Sequence, residues 1–310
     1  MRKGSTSPAA PSPNIGRRWA SAPRCSAAAR RRSAPSDRRR RVAGAEVTQP
    51  PSILVLAGRR SSTLDPLAAA TGVTHKALVP VRGEAMVGRV LRIAAETFVD
   101  APLFVSVEDF SVIAEEPSVS RLHAQGRLTV IEAQHHIVDS IVAASRVTGF
   151  PLLITTADNV LMTPEGMRAI VAEGAKGQAD TIVMLAERGD IMAAHPDGQR
   201  RFYRFRGGAY SNCNLFWLGS DRALAATESF RYGGQFAKRK KDAVRALGLT
   251  ALFLYLFRLV TVDGMFRHFS RRFGVRLRPL VMDDGRLAID VDNARTHRVA
   301  EEILARDTNA

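Results

Sequence analysis

The sequence is short of cysteine, of long apolar runs and, near its N-terminus, of acids, and each shortage excludes something. Of 310 residues only Cys25 and Cys213 are cysteines, one in an N-terminal tail and one in the body. No disulfide can therefore form within the body, and no cysteine cluster can hold zinc. This usage fits a reducing compartment, so a cytoplasmic protein is expected. No apolar run approaches the ~20 residues that span a bilayer. The best candidate, Leu247 to Val260, is too short and is interrupted by Arg258, which leaves a soluble protein or one resting on a membrane surface.

What is abundant is positive charge, a formal +15 at pH 7. It is concentrated in two places. Residues 1–50 hold 12 Lys/Arg against Asp37 and Glu46, and residues 231–278 hold 12 against Asp242 and Asp263. The remainder is mildly acidic, which argues against a nucleic-acid-binding domain spread through the fold. Residues 1–48 are rich in Ser, Ala, Pro and Arg and have no hydrophobic period, so they read as a disordered tail. That composition also fits a transit peptide, and equally a start codon assigned too far upstream.

From Ser52 short apolar runs alternate with helix-length segments. The runs Ile53 to Ala57, Pro102 to Val107, Leu128 to Glu132, Leu152 to Thr156, Thr181 to Ala186 and Asn214 to Leu218 read as strands. Helices are expected over Ala85 to Phe98, Ile137 to Thr148 and Pro164 to Glu173, the last opened by Thr163-Pro164. Further strands are expected at Val275 to Leu280 and Leu287 to Val291, followed by a closing helix from Asn293. Strand and helix in alternation predict an α/β domain over 49–310, with a mostly parallel sheet covered on both faces. Ligands bind such sheets beyond the carboxyl ends of the strands, so the loops after Ala57 and Thr156 are the places to look for chemistry.

The first of these reads Ile-Leu-Val-Leu-Ala-Gly, then a polar loop, then His75-Lys76-Ala77-Leu78-Val79-Pro80 and Gly83. A glycine directly after a strand lets backbone N–H groups approach a phosphate, and a following lysine can neutralise it. Taken alone, Gly58 is a turn glycine and Lys76 a surface charge. The second reads Leu152 to Thr156, Ala157, Asp158, Asn159: a buried strand ending in an acid. Such a carboxylate is placed to hold Mg²⁺ against triphosphate oxygens. Capping of the next helix is the plainer role, but Thr163 suits it better.

Together these segments resemble the opening of the GT-A-like, Rossmann-like nucleotidyltransferases, the group that includes molybdenum cofactor guanylyltransferase and the sugar- and inositol-phosphate transferases. Leu56, Ala57, Gly58, Lys76, Leu78 and Gly83 match the family pattern. Arg59, Ser61 and Thr63 stand where that pattern has two glycines and an arginine, and Arg59 and Arg60 are candidates to replace the lost charge. The resemblance implies transfer of a nucleoside monophosphate from an NTP to a small phosphorylated acceptor. It assigns Lys76 to the α-phosphate, Asp158 to the first metal position and Asp292, before the terminal helix, to the second, with Asp290 in reserve. It also implies Mg²⁺ as the cofactor, nucleotide contacts along Leu56 to Arg60 and around Gln134 to Ser140, and acceptor contacts at Asn212 and Asn214.

Two rival readings follow from the same residues. A GT-A glycosyltransferase would carry an Asp-x-Asp motif after a central strand, where this chain has Ala157-Asp158-Asn159. A catalytically inactive nucleotide-binding protein would explain the altered glycine loop. The basic stretch 231–272 reads as a helical insertion, suited to anionic lipid, to a partner protein, or to a buried helix with a solvated basic face.

Overall fold

The computed structural model describes residues 50–59, 63–227 and 249–308. The tail 1–48, Arg60, Ser61 and the run Lys238 to Lys241 lie outside the described residues.

A buried apolar strand, β1 (Ser52–Leu56), starts the sheet. It pairs in parallel with β4 (Leu103–Val107) on one side and β6 (Leu152–Thr156) on the other, with Ile53 opposite both Leu103 and Leu153. β5 (Leu128–Glu132) extends the β4 edge, again in parallel. Beyond β6 the sheet continues through β9 (Gly208–Leu218), β7 (Thr181–Glu187) and β10 (Leu277–Met282), giving the order β10-β7-β9-β6-β1-β4-β5. β9 runs antiparallel to both neighbours, and β8 (Tyr203–Phe205) hairpins onto it. A two-stranded ribbon, β2 (Pro80–Val81) with β3 (Glu84–Ala85), stands apart.

Because successive strand residues face opposite sides, the sheet has two cores. Ile53, Val55, Leu103 and Leu153 face α2 (Met86–Thr97), α5 (Pro164–Ala175) and the terminal helix α10 (Ala294–Thr308). Leu54, Phe104, Ile131 and Ile154 face α4 (Ile137–Thr148). Shorter helices complete the chain order: α1 (Pro66–Thr71), α3 (Pro117–Ala124), α6 (Arg188–Ala194) and α7 (Leu224–Thr227). Then come α8 (Leu249–Leu256) and α9 (Val262–Phe273). This is the expected mixed, mostly parallel α/β architecture.

One expectation needs correction. Leu287 to Val291 forms no strand: Gly285–Ala288 is a 3-10 turn, opened by the Asp284 side chain accepting from Arg286 N–H at 3.2 Å. That local hydrogen bond offers the backbone a turn in place of a ladder. Within the expected helical insertion 231–272 the described residues form α8 and α9, and α9 buries Val262, Met265 and Phe266, two of them in a cluster with Val183 and Leu185 of β7.

Candidate active site

Three segments distant in sequence meet at the carboxyl ends of β1 and β6. After β1 and α1 the chain makes a 3-10 turn, Lys76–Leu78, and Lys76 points back over the sheet. Its Nζ donates to Asp158 Oδ2 at 2.7 Å and to Asp292 Oδ1 at 2.8 Å. Asp158 leaves the end of β6, and its carbonyl accepts from Val291 N–H at 3.0 Å, which ties the two acidic segments together. Burial alone would lower the Lys76 pKa, but the charges of Asp158 and Asp292 outweigh it and raise it to about 12. The lysine is a fixed cation.

Neither acid is used as a helix cap. Thr163 Oγ1 accepts from Gly166 N–H at the start of α5. Asn293 Oδ1 accepts from Arg295 N–H and Thr296 N–H at the start of α10. The Asp292 carboxylate is left to Lys76 and solvent, its side chain 55% exposed.

Asp290 lies beside this pair and is half-buried, with a buried Oδ1 that lacks a hydrogen-bond partner. Burial, then the charges of Asp158 and Asp292, push its pKa well above the ordinary carboxylate range, against Lys76 and a hydrogen bond with Asn214. Asn214 sits at φ +48° within β9, where the β7 pairing shifts register between Val183 and Leu185. An irregularity of this kind re-aims side chains beside a site. Asn212 Nδ2 donates to Asn214 Oδ1 at 2.9 Å, so both predicted acceptor residues connect to the carboxylate cluster through Asp290.

The loop after β1 is built by residues that the motif did not point to. Glu108, directly after β4, accepts the Arg59 N–H through Oε1. Its Oε2 lies 3.5 Å from Nε2 of buried His75. His75 Nδ1 accepts from Ala77 N–H at 3.1 Å and opens the turn that carries Lys76. Burial lowers the His75 pKa, more than the Glu108 charge raises it, so the ring is neutral at pH 7. Gly58 passes so close to the end of β5 that a Cβ there would stand 2.9 Å from Ala133 Cβ.

Leu56 ends β1 and Ala57 follows it, the Ala57 N–H donating to Ser106 O at 2.9 Å. Ser140 is buried, and its hydroxyl accepts from Gln134 N–H at 2.8 Å; it shapes the Gln134 loop from within. Glu108 was open to the same logic as Asp158, an acid following a buried strand. His75 had no signal beyond its place before the lysine.

A family model described as "MobA-like NTP transferase domain" matches residues 53–244. The chain belongs to this family. Its members are nucleotidyltransferases, and the match takes in β1, Lys76, Asp158 and both asparagines of β9. Asp290 and Asp292 lie beyond the matched span. Among solved structures, a hypothetical transferase from Thermus thermophilus aligns at 22% identity and TM-score 0.65, covering 80% of this chain and 100% of that one. A CMP:2-keto-3-deoxy-manno-octonic acid synthetase complexed with CTP aligns at 14% identity and TM-score 0.52, covering 83% and 98%. At these identities the likeness is one of fold. No curated protein matches the chain.

Proposed function

We propose that this MobA-like chain transfers a nucleoside monophosphate from an NTP to a small phosphorylated acceptor and releases pyrophosphate. The observation that carries this reading is the convergence of Lys76, Asp158 and Asp292 beside a glycine loop at the carboxyl end of β1. The acceptor's phosphate oxygen bonds to the α-phosphorus as the bond from that phosphorus to the bridging oxygen breaks, and the departing electron pair leaves on pyrophosphate. An acceptor phosphate is already anionic, so neither a general base nor a covalent nucleophile is needed.

Mg²⁺ fits these residues. The carboxylates of Asp158 and Asp292 already converge on one cation, the Lys76 ammonium, and Mg²⁺ takes one or two carboxylates with phosphate oxygens and water. Among the described residues no group of three or more His, Cys, Asp or Glu forms a metal cage, in keeping with an ion that the substrate helps to bind. When bound, Mg²⁺ supplies charge neutralisation to the triphosphate. The rest is the chain's own work. Lys76 offsets charge at the α-phosphorus, the Gly58 and Arg59 backbone lines the triphosphate, and Asn212 and Asn214 orient the acceptor. Positioning and fixed charges of this kind supply most of the acceleration in phosphoryl transfer.

The test is pyrophosphate release from each of the four NTPs against a panel of phosphorylated sugars and alcohols. At least one pair is expected to turn over. Release of a nucleoside diphosphate from a sugar nucleotide, without pyrophosphate chemistry, would replace this reading with the glycosyltransferase one. NTP binding without turnover on any acceptor would leave an inactive nucleotide-binding protein.

A further inference from the structure

From the α8–α9 surface we infer a second property, independent of the transferase chemistry: this face docks onto a bilayer that contains anionic lipid. α8 turns one face inward, where Leu252 and Tyr255 pack around Met265 with Phe205 of β8. The Tyr255 ring meets Phe205 edge-on at 5.6 Å. The outward side of α8 and the turn that follows it carry Phe253, Leu256, Phe257 and Leu259, which are 54, 64, 63 and 52% exposed. The Phe253 and Phe257 rings touch, with centroids 4.7 Å apart. The other large exposed apolar side chains of the described residues are scattered along the chain. A concentrated patch of this kind marks an interaction surface.

Its charge selects the partner. Arg258, in the turn that follows α8, lies in the left-handed region, φ +53°, and is fixed there by hydrogen bonds from Arg258 N–H to Tyr255 O and from Leu259 N–H to Leu254 O. An arginine is thereby held between exposed Phe257 and Leu259. On α9, Arg267 and Arg271 are exposed as well, and among the described residues no carboxylate pairs with them or with Arg258. Asp263 is the sole acid from 249 to 278. Two phenylalanines and two leucines with Arg258 among them, and further exposed, unpaired arginines on the neighbouring helix α9, match a headgroup layer, where rings enter the acyl boundary and arginines meet lipid phosphates. Among the described residues no helix is long and apolar enough to cross a membrane, so the contact is one of surface docking.

Co-sedimentation of the full chain with phosphatidylcholine vesicles, with and without phosphatidylglycerol, tests this. Binding to the anionic vesicles alone is expected, weakening as salt rises. Phe253→Ser with Phe257→Ser should weaken it about tenfold. Arg258→Asn with Arg267→Gln and Arg271→Gln should weaken it by tenfold or more, at about fivefold per arginine that reaches the surface. Asn suits the left-handed position, and all five side chains are exposed, so unchanged melting temperatures are expected. Arg146→Gln, on α4, serves as a control and should bind like wild type.

Equal binding by wild type and both multiple variants would overturn the proposal and assign the affinity to the arginine-rich tail, which all of them share. Absence of binding by wild type would overturn it too. So would light scattering that shows a dimer which the Phe253/Phe257 variant converts to monomer, because the face would then belong to a second copy.

Discussion

The loop after β1 and the carboxylate cluster stand at the same end of the sheet but are built in different ways. The cluster keeps the residue types of the family resemblance: a lysine and two aspartates at the ends of separate segments, linked by bonds of 2.7 and 2.8 Å. The loop does not. Where the family pattern has two glycines and an arginine, this chain has Arg59, Ser61 and Thr63; Arg59 is tied by its N–H to Glu108, and Gly58 is pressed against Ala133. A charge that must face a reacting phosphorus has few substitutes. A loop that offers backbone N–H groups can be held by whatever acceptor and packing partner the neighbouring strands supply.

The largest effect should come from the cluster. Asp158→Ala and Asp292→Ala are each expected to reduce pyrophosphate release by about 10³-fold, the scale of losing one electrostatic group from a preorganised site. Both should fold, since the carboxylates serve neither helix cap. Wild-type turnover by either folded variant would remove that residue from the chemistry. The loop should respond less, and in a different parameter. Glu108→Ala strips the acceptor from Arg59 N–H, at a cost of about 1–3 kcal/mol. The expected readout is KM for the NTP raised about tenfold with kcat little changed, and Glu108→Gln, which keeps an acceptor oxygen, staying close to wild type. A fall in KM would show instead that Glu108 opposes the triphosphate.

This contrast also explains what the sequence disclosed. The strands of the parallel half were readable to within a residue, because Leu152–Thr156 and Leu128–Glu132 are short buried runs bounded by turn residues. Asp158 and Asp292 could be found as acids next to element boundaries, with Thr163 and Asn293 nearby to take the capping roles. The β8–β9 hairpin was missed, because the first half of β9 alternates polar residues that pair with β8 and β7 and does not form an apolar run. Glu108 and His75 act on each other across 3.5 Å from positions 33 residues apart, a relation that no local pattern reports. The 3-10 turn at Gly285–Ala288 was read as a strand because Leu287, Ala288, Ile289 and Val291 are all buried, and burial on every side looks alike in turn and strand.

A smaller effect tests the packing half of the loop's construction. Gly58→Ala places a methyl group 2.9 Å from Ala133 Cβ, where one of the two segments must shift. Overpacking of this kind costs about 1–3 kcal/mol. The cost should be visible in the melting temperature and should be largely removed by adding Ala133→Gly. A double variant as destabilised as the single one would show that the glycine is needed for another reason.

The smallest expected effect concerns pH, and it separates the loop from the cluster because the two respond to protons differently. Lys76 stays charged throughout the working range, with its pKa raised to about 12. His75 is the titrating group, its pKa lowered from 6.5 chiefly by burial, with Arg59 adding to the lowering and Glu108 and Asp65 opposing it. The unfolded chain therefore binds the His75 proton more tightly than the folded one. Stability from neutral His75 is complete above pH 6.5 and is lost as the pH falls below it. His75→Asn keeps an oxygen to accept the Ala77 N–H and carries no charge at any pH. From pH 7.5 to pH 5 the wild type should lose more melting temperature than the variant, at about 2–4 °C for each kcal/mol of difference. Parallel profiles would mean that Glu108 compensates the imidazolium fully, and that the His75–Glu108 contact is a stabilising ion pair instead of a neutral spacer beneath the loop.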